Sequence, residues 1–243
     1  MIIAYDNKYN LSTLTASDAN SAFPVTNSQD TRLSKLFKTT GTSVNIVIDL
    51  AESLTATGIF IANHNLTSSA TITLEANATD VWTSPSYTNT IAYNADTIYE
   101  LFATQTYRYW RLVISDATNP DGVLIFGGCF LGTYLTMLDT FSHVLTESTT
   151  DTTVISRSLS GQVYTDNGYI FDSWDLNFPR VTLSGKTSIQ AYKATNRKKP
   201  VYVMLDESST SEFIPSYVTI DDISYSRVFN NFYTISMKLR EAK

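Results

Sequence analysis

Apolar and polar residues alternate along much of the chain, which is the period of a strand with one buried face. In residues 43–50, Val44, Ile46, Ile48 and Leu50 fall on one side. Residues 70–76 repeat the pattern with Ile72 and Leu74. Residues 57–62 are instead an almost unbroken apolar run, as expected of a strand covered on both faces. Residues 98–102, 107–114 and 123–131 complete the set. Within 107–114, Trp110, Leu112 and Ile114 make the larger apolar group and should face the core, leaving Tyr107, Tyr109, Arg111 and Val113 on the other side. No segment of this half carries a 3.6-residue stripe, so it reads as a β-sandwich.

The second half is mixed. Residues 138–153 are polar around Thr146 to Thr153, lack periodicity and read as a linker between a module at 1–137 and another at 154–243. Residues 154–159 and 162–165 are strand-like. Asp166, Asn167 and Gly168 then predict a hairpin turn, because Asn and Gly accept positive φ, with 169–178 as the return strand. Ser184 can cap a helix over 185–196, where Ile189, Tyr192 and Lys193 fall at helical spacing. Residues 201–205 form a strand, and 217–226 with 230–239 a final hairpin. The expected architecture is mainly β: an N-terminal sandwich plus a C-terminal antiparallel sheet module with one helix.

Composition supports this reading. Of 243 residues, 43% are hydrophobic, 12% aromatic and 16% charged, and 35 are threonine, which suits pleated surfaces. That is too much apolar material for a disordered chain. The net charge of −6 argues against nucleic-acid binding over the whole surface. Up to residue 135, 6 Lys and Arg face 11 Asp and Glu; afterwards 11 face 12, so the acidity lies in the first part. No basic leader followed by an apolar run, and no span of 18 apolar residues, is visible, so neither a secretory signal nor a membrane span is expected.

Candidate chemistry is sparse. With one cysteine, Cys129, and two histidines, His64 and His143, neither an internal disulfide nor a zinc site can be assembled. Cys129 sits in an apolar strand where a thiol packs as a small hydrophobe. No Gly-x-Ser-x-Gly elbow, P-loop or Asp-x-Asp-x-Asp-Gly calcium loop occurs. The acidic pairs Asp206 with Glu207 and Asp221 with Asp222, and Asp172 and Asp175 around Trp174, read as solvated turn residues, because neighbours on a strand point to opposite faces. No catalytic residue, metal or cofactor is therefore expected. His64, between Asn63 and Asn65, either shapes a turn or lines a site. Trp82 either closes one end of the sandwich or stacks on a sugar ring. The basic run Arg197, Lys198 and Lys199 reads as helix C-terminal charge or as a phosphate contact.

Four segments carry a resemblance: Phe23 to Asn27 with its proline, Asn45 to Leu50, Ile59 to Asn65, and Tyr107 to Leu112. In order and spacing they resemble the discoidin-like, galactose-binding-type jelly roll over residues 15–135. With Asn63, His64 and Asn65 after the second core strand, the chain looks most like such domains in bacteriophage tail and virion proteins. The C-terminal module resembles the tail-tube-type fold. The resemblance implies a non-enzymatic virion component at the tail tip or baseplate, made in the bacterial host cytoplasm, binding other virion proteins and copies of itself. The alternative it implies is a module that recognises a cell-surface glycan. Sugar-binding relatives place Arg, His, Asp and aromatic groups on loops at one end. By loop position alone, without a matching motif, the carbohydrate-binding candidates here are His64, Trp82 and Tyr87.

Overall fold

The alternating segments do form strands, and several are longer than the pattern implies. The structure, a computed structural model, describes residues 1–136, 145–205 and 216–242. The first part holds β1 (Ile2–Asn7), β2 (Thr13–Ala16), β3 (Phe37–Lys38), β4 (Ser43–His64), β5 (Thr71–Asn77), β6 (Tyr87–Ile91), β7 (Thr97–Ser115) and β8 (Ile125–Thr136). Segments 43–50 and 57–62 are thus two ends of one strand, β4, and 98–102 and 107–114 two ends of β7. These two pair antiparallel throughout, but their register slips between Asp49 and Leu54 and between Ala56 and Gly58. Ala51, within the first slip, has φ 65°. A slip of this kind bends the strand, and here it carries both strands from one layer into the other.

Before the bend, β4 pairs with β2, and the matching end of β7 pairs with β5, which pairs with β6. After it, β4 pairs with β8, and β8 with β1. Inward side chains of the two layers fill one core: Val44, Ile46, Ile48, Leu74, Trp110 and Leu112 from the first meet Ile59, Ile61, Phe126 and Leu131 from the second. This is a jelly-roll sandwich. The unbroken run 57–62 is covered on both faces, as its composition requires. Phe60 points away from the main core and is 1% exposed, packed by Phe130, Tyr99 and Tyr202 at ring separations of 5.4, 6.2 and 5.2 Å. Tyr202 belongs to a later segment, Val201–Met204, which pairs antiparallel with β1. Gly132 lets β1 and β8 approach, since a Cβ there would lie 1.9 Å from the Asp6 carbonyl oxygen.

The second unit contains β9 (Leu145–Asp151), β10 (Val154–Arg157), β11 (Val163–Asp166), β12 (Ile170–Thr182), α1 (Leu183–Asn196), β14 (Ser216–Phe229) and β15 (Phe232–Glu241). β13 (Val201–Met204), between α1 and β14 in the chain, returns to the first unit with residues 202–204, against the expected boundary at 154–243. Its strands run in the order β14-β15-β12-β9. α1 packs against β12 and β15 and buries Ile189 and Tyr192, and the buried side chains of those strands include Leu176, Phe178, Ile235, Met237 and Leu239.

Three local expectations change. Residues 145–151, inside the span read as linker, form β9 and pair with β12 from Asp151 opposite Ile170 to Leu145 opposite Leu176. Thr and Ser there are polar but still strand-compatible. The rest of that span, residues 138–144, lies outside the described residues, as do His143, Asp206 and Glu207. The hairpin turn is not at Asp166 to Gly168. β11 pairs with β10, and the chain reverses at Ser158 to Gly161, where Gly161 has φ 82°. Asn167 and Gly168 instead carry the chain from β11 into β12 past Thr152. Thr152 and Tyr169 exchange backbone and hydroxyl hydrogen bonds, and a Cβ on Gly168 would lie 2.3 Å from the Thr152 carbonyl carbon. Glycine is needed there for closeness. Finally, Thr182 rather than Ser184 caps α1, its hydroxyl accepting from the Gly185 N–H at 3.2 Å.

Candidate functional site

The best-organised polar surface lies on the outer face of β5 and β7. Alternation points Trp110 and Leu112 inward, so Arg111 points outward, directly opposite Glu75 on β5. The Arg111 guanidinium donates to Glu75 through Nε at 2.6 Å and approaches the same oxygen through Nη2 at 2.5 Å. Their side chains are only 19% and 14% exposed, so the pair is largely withdrawn from water. What covers it is Trp82. The guanidinium carbon sits 4.6 Å from the Trp82 ring centroid, in cation–π geometry.

The loop after β5 holds Trp82 in place. Asn77 donates to the Val81 carbonyl at 2.7 Å and accepts from the Ala78 N–H and the Ser86 hydroxyl. The indole N–H donates to Asp80 at 2.6 Å. The ring is therefore fixed by a cation beneath it and a carboxylate at its edge, yet remains half-exposed.

Tyr87 follows on β6 but does a different job. It packs on Phe102 and Trp110 at 5.7 and 6.1 Å and, with Tyr107, closes the end of the core. Burial raises the pKa of its hydroxyl.

His64 ends β4, away from Trp82. Thr71 pairs with Ser115 at one end of β5 and Asn77 with Tyr109 at the other, so these ends lie roughly 20 Å apart at strand rise. Trp82 belongs to the Asn77 end. His64 belongs to the Ser115 end, through its neighbour Asn65, which is bonded to Asn119, Asp121 and Val123. Both His64 nitrogens meet backbone: Nδ1 accepts from the Leu66 N–H at 3.1 Å, and Nε2 therefore donates to the Asn94 carbonyl at 3.0 Å. Burial lowers its pKa, keeping the ring neutral. The three sequence candidates thus separate into a platform residue, a core plug and a turn-shaping residue.

Beside His64 the loops are tied by Asp116, which is fully buried. It accepts from the Thr67 N–H and hydroxyl at 2.8 Å each, and from Ser69 and Asn119 at 3.2 Å. Burial alone would raise its pKa, but these donors outweigh it and hold the carboxyl below the ordinary value.

Catalytic and metal chemistry finds little here. Cys129 is buried, and burial pushes its thiol far above the ordinary range. Among the described residues, no group of three or more His, Cys, Asp or Glu side chains converges on one point. Asp221 sits at the register slip of β14 and accepts from Thr219, and Asp172 accepts from Thr149. On the solvent face of the second unit, Lys238 lies opposite both Asp175 and Asp222 in an open trough.

No family model matches the chain, and no curated protein matches it. Solved structures do. A chitosan-binding module of a chitosanase/glucanase from Paenibacillus sp. IK-5 is similar at 16% identity and TM-score 0.43, over 52% of this chain and 98% of that one. A fucose-binding module from Streptococcus pneumoniae is similar at 9% identity and TM-score 0.43, over 53% and 95%. The family 32 carbohydrate-binding module of C. perfringens NanJ, solved with galactose, is similar at 10% identity and TM-score 0.43, over 56% and 100%. The jelly roll itself rests on this chain's own strand pairing.

Glu75, Arg111 and Asp80 are the members of the platform that the sequence reading passed over. Their signal was present as parity: Arg111 shares its face of β7 with Tyr109, and Glu75 lies between the inward Leu74 and Ala76. What was missing was the register that sets one opposite the other.

Proposed function

We propose that the protein is a non-catalytic recognition protein whose jelly roll binds carbohydrate at the Trp82 platform. The observation that carries this is the indole held over the Arg111–Glu75 pair with its N–H fixed by Asp80. A pyranose presents a face of C–H bonds that stacks on an aromatic ring, while its hydroxyls need nearby acceptors and donors. Asp80, exposed at the edge of the ring, supplies an acceptor, and the Arg111–Glu75 pair beneath immobilises the ring, which lowers the entropic cost of binding. A glycan array followed by calorimetry tests the reading. We expect the wild type to bind a defined glycan, Trp82→Ala to weaken it about tenfold or more, and Trp82→Phe to retain part of the affinity. Absent binding by the wild type, or equal binding by Trp82→Ala, overturns it.

A second reading, a structural component of a bacteriophage virion at the tail tip or baseplate, is favoured by one observation. Exposed apolar side chains are concentrated on the hairpin of β9 to β12, as suits a subunit made to be covered by neighbours. On this reading the protein is made in the host cytoplasm and resides in the tail with other virion proteins. Electron microscopy of particles with and without it decides: unchanged particles, with the protein found in none, reject it.

A further inference from the structure

Among the described residues, the hairpin from Leu145 to Ile170 is exposed along almost its whole length. Every residue of β9, β10 and β11 is exposed. Of 14 large hydrophobic residues exposed in the described chain, eight lie here: Leu145, Val154, Ile155, Leu159, Val163, Tyr164, Tyr169 and Ile170. Leu159, at the tip, is entirely exposed. β10 and β11 form a two-stranded sheet of their own, and an isolated pair of strands is at best marginally stable in water. Register places Ile155 beside Thr165 and Val163 beside Arg157 on one face, Tyr164 beside Ser156 and Val154 beside Asp166 on the other. Apolar groups therefore stand on both faces, so no single fold-back would bury them.

Charge indicates what covers it. Between residues 145 and 175 the chain carries five acidic residues, Glu147, Asp151, Asp166, Asp172 and Asp175, against the single Arg157. Residues 183–199 carry Lys186, Lys193, Arg197, Lys198 and Lys199 and no acid. Lys186 is engaged over Tyr233 at 4.2 Å, but Arg197, Lys198 and Lys199 are exposed in succession where α1 ends. β9, β10 and β11 are exposed at every residue, so the helix of the same chain does not cover them.

We propose that the hairpin of one copy docks on the outward, basic C-terminal half of α1 in a second copy, acidic strand edges against Lys193 and Arg197 to Lys199. The contact joins different surfaces of the two partners, so it is head-to-tail and builds a closed ring or an open filament. This deepens the assembly reading above and is independent of carbohydrate binding.

Sedimentation velocity on the full chain, across concentration and at low and high salt, tests it. The wild type should self-associate, more weakly as salt rises. Arg197→Glu/Lys198→Glu/Lys199→Glu should be monomeric, and so should Glu147→Lys/Asp166→Lys. Mixed one to one, the two variants should associate again, because each now offers what the other lacks. All five positions are exposed, so the unfolding midpoint should stay at the wild-type value; near-ultraviolet circular dichroism should too for the α1 variant, while Glu147→Lys removes the acceptor of the Trp174 indole N–H. Ile155→Ser/Leu159→Ser should also weaken association. Wild-type association that survives both reversals, or a mixture that stays monomeric, overturns the surface assignment and leaves the assembly reading standing. A wild type that is monomeric throughout overturns the self-contact, and the particle microscopy above then judges assembly separately.

Discussion

Replacing Asp116 should destabilise the jelly roll strongly. The carboxylate is fully buried and accepts four hydrogen bonds, two from Thr67 and one each from Ser69 and Asn119. In Asp116→Ala the Thr67 and Ser69 hydroxyls can turn to water, since both residues reach the surface. The Thr67 N–H and the Asn119 amide are left behind, and Asn119 is only 7% exposed. Two dehydrated donors at ~1–3 kcal/mol each put the loss at roughly 2–6 kcal/mol. Asp116→Asn should cost less, because its oxygen can keep the Thr67 N–H and Asn119 bonds while its NH2 points at the Thr67 and Ser69 hydroxyls, which can rotate to accept.

Urea unfolding followed by tryptophan fluorescence measures this. Trp174→Phe is used as background, so that Trp82 and Trp110 report the jelly roll alone. The pH dependence has a defined sign. The folded Asp116 has a lowered pKa, so its contribution is present above the ordinary carboxylate value near 4 and is lost as pH falls through the lower folded value. The gap between wild type and Asp116→Ala should be full at pH 7 and shrink below about pH 4. A gap under about 0.5 kcal/mol at pH 7, or one that widens on acidification, refutes the account.

Gly132→Ala should destabilise the jelly roll by about 2 kcal/mol or more, read as a lower urea midpoint, because its methyl group meets the Asp6 carbonyl and β1 must move. Cys129 should resist a thiol reagent in the native protein and react stoichiometrically in urea, since it is buried and burial holds it as the thiol. His64 should titrate below the ordinary histidine value in an NMR experiment on His143→Gln. Its lowered folded pKa means that its contribution is complete above about pH 6.5 and is lost as pH falls toward the folded value. A midpoint at or above the ordinary value counts against the burial assigned to its ring.

Much of the sandwich was legible because burial imposes a period that the residues cannot hide. Ile46, Ile48, Leu112 and Ile114 could face only one way, and the run at 57–62 announced a strand covered twice. The bends in β4 and β7 were not legible. A register slip such as the one at Ala51 is set by the partner strand, and the residues around it still read as polar breaks. The turn at Asp166 to Gly168 failed for a related reason. Turn chemistry records that a backbone can adopt positive φ or tolerate close approach, and leaves open which requirement it serves. Gly168 serves approach to Thr152, while the reversal falls to Gly161, whose neighbours Ser158 and Ser160 carry a weaker signal.

The site follows the same logic at one remove. Trp82, Asp80, Glu75 and Arg111 are ordinary residues for exposed loops and strand faces, and none is informative alone. Glu75 and Arg111 become a pair only when β5 and β7 align with Asn77 opposite Tyr109. Trp82 becomes a platform only because Asn77 then ties its loop back over that pair. His64 shows the converse, since a residue type suited to binding is consumed by two backbone bonds that only the folded turn supplies. The scarcity of His and Cys was legible from sequence alone, because counting residues needs no geometry. An assembled surface needs geometry, which is why Glu75, Arg111 and Asp80 stood out only with the register and the loop in place.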